Sequence, residues 1–114
     1  MIARCMSLAC VFGLLAMPYP ANALTMEQFA AICASGNTEC SEHPILQAYV
    51  GGALDLIAML DEETDYLGEV YCVKPSNLFD VPSIIRFMEA HRADYANSNA
   101  MLLLIRYLEE NGGC

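Results

Sequence analysis

Positive charge is what this chain lacks most: it has five Lys and Arg against 14 Asp and Glu, a net charge of −9 with His neutral. That scarcity argues against nucleic-acid phosphates and anionic membrane surfaces as partners, because both are bound by lysine and arginine. The apolar run from Cys5 to Met17 is 13 residues long, well short of the roughly 20 that span a bilayer. Internal repeats and low-complexity tracts are missing, which sets aside solenoids and arrays. No segment alternates convincingly as a strand, and no G-x-S-x-G or phospholipase-like His-Asp pairing marks a hydrolase. What is present is 56% hydrophobic content and six cysteines in 114 residues, enough apolar surface for one folded domain.

Part of that hydrophobicity belongs to the start of the chain. Arg4 is the single charge in the first 26 residues, and the apolar run is followed by Pro18, Pro20 and the small-x-small triplet Ala21-Asn22-Ala23. This is the pattern of a signal peptide, residues 1–23, cleaved after Ala23 and leaving no stable membrane anchor. Cleavage removes one basic residue and no acidic one, moving the net charge from −9 to −10. It also removes Cys5 and Cys10, leaving Cys33, Cys40, Cys72 and Cys114 for an oxidising compartment. Of the three possible connectivities, Cys33 with Cys40 and Cys72 with Cys114 needs the least contrivance: one short local loop and one clasp of the C-terminus. In a loop-entropy account these closures contribute about 2.5 and about 4 kcal/mol.

Residues 24–114 read as a single helical domain. Thr25-Met26-Glu27-Gln28 has the form of a capping box, and Ser35-Gly36-Asn37 ends the helix it starts. The longest helix runs from Pro44 to about Glu62, with an apolar stripe of Ile45, Tyr49, Ala53, Leu56 and Leu60 that Val50, Leu54 and Ile57 widen. A helix apolar over most of its circumference is expected at the centre of a bundle. Gly51-Gly52 inside it would each cost about 1 kcal/mol against Ala, which leads us to expect a second backbone packed on the small-residue face of Ala48, Gly51, Gly52, Asp55, Ala58 and Met59. A third helix fits 80–94 with Asp80 as its cap, and a fourth fits 98–111 with Gly112 ending it. The fold class is therefore all-α, a small irregular bundle of four to five helices stapled by two disulfides.

Chemistry-bearing residues are few. Cys33, Cys40 and His43 have a superficially metal-like spacing, but a fourth ligand is not apparent and an oxidising compartment favours the disulfide. His43 reads as a residue at a helix start, and His91 as a packed edge residue on the apolar face of the third helix. Asp55, in a mostly apolar helix, either pays for desolvation or accepts hydrogen bonds from a neighbouring element. The acidic stretch from Asp61 to Glu69 precedes the Cys72 anchor. Within it Tyr66 and Leu67 supply apolar anchors while Glu63, Asp65 and Glu69 supply negative charge, a combination suited to plugging a basic or polar cleft.

The order of Cys33, Ala48-Tyr49-Val50-Gly51-Gly52-Ala53-Leu54-Asp55, Tyr71-Cys72-Val73-Lys74-Pro75, Ile84 to Glu89, then Ala100, Leu103, Leu108 and Cys114 resembles the Rap/Tai family of periplasmic immunity proteins. That family carries a G-Y-x-x-G-x-x-D helix, a C-x-P loop, a V-x-x-Y-L helix and a terminal F-P-C. Tyr49, Gly52 and Asp55 match the first motif, whereas Ala48 replaces its leading Gly. Asn111-Gly112-Gly113-Cys114 replaces F-P-C, and Leu46 stands where the family has its second cysteine. The resemblance implies a small helical periplasmic protein, often dimeric and so a candidate homodimer here, that binds and blocks a peptidoglycan amidase delivered by a type VI secretion system. It implies no catalysis and no cofactor, so no catalytic, cofactor-binding or metal-binding residue is assigned. Two other classes compete: a periplasmic structural or chaperone-like helical protein whose acidity serves solubility, and a small hydrolase using Asp55 or His91. Peptide mapping of the exported product under non-reducing conditions should find Leu24 as its first residue and no free thiol; a full-length N-terminus or a Cys33–Cys72 linkage would contradict these assignments.

Overall fold

The structure, a computed structural model, describes residues 23–113 apart from 69, 73, 74 and 76. The leader, Glu69 and Cys114 thus lie outside the described residues, and with them the leader assignment, any contact of Glu69 and the Cys72–Cys114 pairing. Among the described residues four α-helices are seen: α1 Met26–Ala34, α2 Pro44–Glu63, α3 Val81–His91 and α4 Ala100–Gly112. Short 3-10 turns at Cys40–Glu42 and Arg92–Tyr95 precede α2 and follow α3. Among the described residues there is no strand beyond an isolated bridge between Thr25 and Asn99. None of the described helices is long and apolar enough to cross a membrane.

Local chemistry accounts for the helix ends. The Thr25 hydroxyl accepts from Gln28 N at 3.2 Å while the Gln28 side chain accepts from Thr25 N at 3.0 Å, closing the capping box. His43 Nδ1 accepts from Ile45 N and Pro44 opens α2, where a missing N–H costs nothing. The Asp80 carboxylate caps α3 through Ser83 N at 3.1 Å and also accepts from the Ser83 hydroxyl, which holds its pKa below the ordinary carboxylate value. Asn99 Oδ1 caps α4 through Met101 N. The third helix is shorter than the 80–94 expected, changing to a 3-10 turn after His91, and the fourth starts at Ala100 rather than 98. The carbonyls of Ala96 and Ser98 explain the later start. They accept from Glu27 N at 2.9 Å and Met26 N at 3.0 Å, satisfying the exposed first amides of α1.

The core gathers Met26 and Phe29 of α1, Leu46, Val50, Leu54 and Ile57 of α2, Ile84, Ile85 and Met88 of α3, and Leu103, Leu104 and Leu108 of α4. Each such side chain contributes about 1.5–3 kcal/mol on leaving water. The central element is α3, which touches α2, α4 and both 3-10 turns. The longest helix, α2, instead lies on one side of it, contrary to what its nearly continuous apolar circumference implied. Its buried face is Leu46, Val50, Leu54 and Ile57, one step around from the expected stripe, so Ile45, Leu56 and Leu60 face outward. The small-residue face is also turned out. Gly52 and Asp55 are exposed, and a Cβ built on Gly51 or Gly52 would meet nothing within 4 Å. Among the described residues no second backbone packs there, and Asp55 is exposed.

These surroundings separate two glycines in opposite directions. At Gly36 a Cβ would come within 2.7 Å of Cδ2 of the buried His43 ring, which its bond to Ile45 N holds in place. Gly36→Ala should therefore lower stability by about 1–3 kcal/mol. Gly52→Ala should raise it by up to about 1 kcal/mol, because the methyl group is accommodated and the helix loses its most entropy-costly residue. Urea unfolding followed by circular dichroism reads both.

Candidate interaction surface

The cysteine cluster is closed by oxidation. Cys33, near the end of α1, is bonded to Cys40 in the first 3-10 turn across a Cα–Cα distance of 5.0 Å. Glu89 of α3 brings a carboxylate oxygen within 3.7 Å of Cys33 Sγ, so these three residues offer donor atoms within 4.8 Å of one another. Sulfurs joined to each other are not thiolates, however, and thiolate is the form that binds a soft metal. His43 is outside this group, committed to the start of α2 and packed on Gly36.

His91 also serves a helix end. Its Nδ1 lies 2.8 Å from Phe87 O and its ring stacks on Phe87 at 4.2 Å, with Tyr107 meeting Phe87 edge-on at 5.4 Å. Burial pushes the Tyr49 and Tyr107 hydroxyls above their ordinary pKa. Of the family-like motif, Tyr49 is half-buried against the core, whereas Gly52 and Asp55 are exposed. The structure therefore does not bring Asp55 and His91 together as one buried pair.

The acidic connection is held at both ends. Thr64 ends α2 by returning its hydroxyl and its amide to Leu60 O. Val70 N and Tyr71 N donate to Leu67 O, Tyr71 is buried edge-on to Phe79 at 5.8 Å, and Cys72 N donates to Gly112 O at 2.8 Å. That last bond places the backbone of Cys72 at the end of α4. Between these anchors Glu63 and Asp65 are exposed and Tyr66 stands 85% exposed. Leu67 is half-buried and packs against the core, so part of its side chain already serves the fold.

The structure adds a surface that sequence reading assigned to the core. Among the described residues the exposed large hydrophobic side chains are Ile45, Leu56, Met59, Leu60 and Tyr66. The first four lie on α2 and Tyr66 follows directly after it. Scattered exposed apolar residues are ordinary, but their confinement to one element is informative. On the α2 wheel Asp55 and Glu62 flank this face, and Glu63 stands at its C-terminal end. A signal for the electrostatics of this region was available in the sequence, namely that no Lys or Arg occurs from residue 5 to residue 73. Nine of the 14 acidic residues fall in that same stretch, so the negative charge is concentrated on the half of the chain that builds α1, α2 and the acidic connection.

The different burial of the two loop residues is testable. Tyr66→Ala should leave the urea midpoint unchanged, while Leu67→Ala should lower stability by up to about 2 kcal/mol because packing against the core is lost. The chain matches no family model, no curated protein and no solved structure.

Proposed function

We propose that this is an exported immunity protein of the periplasm that binds and inhibits a type VI secretion effector, a peptidoglycan amidase being the first candidate. The observation that carries this reading is the exposed Tyr66, with Glu63 and Asp65 beside it, on a connection secured at Thr64 and at Leu67 to Cys72. A loop fixed at its ends loses little freedom when its tip enters a cleft, so less of the contact energy is spent on ordering it. Tyr66 provides aromatic contact, and the flanking carboxylates steer toward positive potential and accept hydrogen bonds from donors around the target's active site. The resemblance to the Rap/Tai family supports the same role. So does the Cys33–Cys40 disulfide, which suits an oxidising compartment. A second bridge from Cys72 to Cys114 is part of this proposal. The protein needs no cofactor and performs no chemistry of its own.

The outward apolar face of α2 also favours a second reading, a chaperone-like protein that shields unfolded clients. The two readings differ in what they protect. With purified peptidoglycan and a candidate type VI amidase effector, stoichiometric addition of the protein should abolish amide cleavage. Tyr66→Ala and the pair Glu63→Lys with Asp65→Lys should each weaken inhibition at least tenfold. Suppression of aggregation of an unfolded client, without inhibition of the folded amidase, would instead establish the chaperone-like reading.

A further inference from the structure

The outward side of α2 presents Ile45 at 59%, Leu56 at 61%, Met59 at 55% and Leu60 at 38% exposure. These residues run along most of the 20-residue helix, about 30 Å from end to end. Gly52 stands among them with open space around it, so the backbone offers no steric obstacle to close approach. Along one edge lie the exposed carboxylates of Asp55 and Glu62, and at the C-terminal end those of Glu63 and Asp65. Glu42 is exposed immediately before α2.

We infer that this face is a docking surface for a protein partner presenting an apolar ridge bordered by lysine or arginine. The inference rests on the binding role proposed above and adds to the acidic loop a second surface and the chemistry of what it accepts. Charge decides between a basic partner and another copy of this chain. Antiparallel self-pairing centred on Gly52 would set Glu62 and Glu63 of one α2 beside Glu42 of the other. It would also bring together two halves devoid of Lys and Arg from residue 5 to 73. Like charges facing each other across an interface oppose association, whereas a basic rim supplies the missing counter-charge. The apolar ridge then contributes the water-excluded centre, and the carboxylates form its polar border.

The test uses two probes: an amphipathic helical peptide of Leu and Lys, and the same design with Leu and Glu. Nuclear magnetic resonance titration of the full exported chain should move the amides of α2 with the Leu/Lys peptide and leave them unmoved with the Leu/Glu peptide. Leu56→Ser combined with Met59→Ser keeps every charge, and should weaken Leu/Lys binding at least tenfold while the circular dichroism spectrum is retained. Unchanged affinity in that variant would overturn the inference, since it would reduce the attraction to unspecific charge. A stable dimer in sedimentation, dissociated by the same two substitutions, would also overturn it by giving the face to a second copy. Loss of amidase inhibition on Tyr66→Ala with full inhibition by the α2 variant would overturn the α2 surface alone and leave the immunity reading standing.

Discussion

The arrangement of the four described helices depends on a backbone clasp between Leu24 to Glu27 and the link from α3 to α4. Leu24 O accepts from Ala100 N at 2.8 Å, while Ser98 O and Ala96 O accept from Met26 N and Glu27 N. The opening amides of α1 and α4 are thereby satisfied by each other's lead-in segments rather than by water. Because both helices begin at this joint, their directions are tied. Phe29 and Met26 are delivered to the core from one side and Ala100, Leu103 and Leu104 from the other. The Thr25 capping box then orders the chain locally at the joint. At the far end of α1, the Cys33–Cys40 bond hands the chain to a 3-10 turn packed against α3. A short helix that would be marginal alone is thus restrained at both termini.

That arrangement also explains how α2 has an apolar side to spare. Its inner face is filled by α3, the first 3-10 turn and α1, and the remaining circumference meets no element of comparable size among the described residues. Tyr49 and Ala53 close the margin against the core, leaving the Ile45, Leu56 and Met59 side uncovered. The arrangement suits a protein whose task is to present a surface. The disulfide and caps fix the scaffold, and the residues proposed to bind a partner occupy a helix and a tethered loop rather than a free tail.

Much of this was legible in sequence because it is set by neighbours in the chain. Thr25 with Gln28, Pro44 and Asp80 are local signals, and their helices start where those signals put them. The orientation of α2 was not legible in the same way. When Leu46, Val50, Leu54 and Ile57 compete with Ile45, Leu56 and Leu60 around one helix, periodicity supports both faces, and the choice is made by where α3 lies. The late start of α4 follows from bonds to the start of α1, some 70 residues away in the chain. The half-burial of Leu67 is illegible for a related reason: a leucine among carboxylates reads as surface until the buried Tyr71 draws its segment inward. The metal-like spacing of Cys33, Cys40 and His43 gave way to oxidation of the two sulfurs and to the service of His43 at the head of α2.

The absence of Lys and Arg from residues 5–73 has a chemical consequence of its own. Trypsin has no cleavage point in this stretch, and amine-directed labels and cross-linkers find no side chain to attack on α1 or α2. Lys74 is the single lysine of the chain, so surface mapping that relies on lysine side chains would report that one position and leave the α2 face blank, bound or unbound. Carbodiimide coupling through Asp55, Glu62 and Glu63 approaches the same face from its own functional groups. It would link them to lysines of whatever lies across the interface, recording both the contact and the charge of the surface that made it.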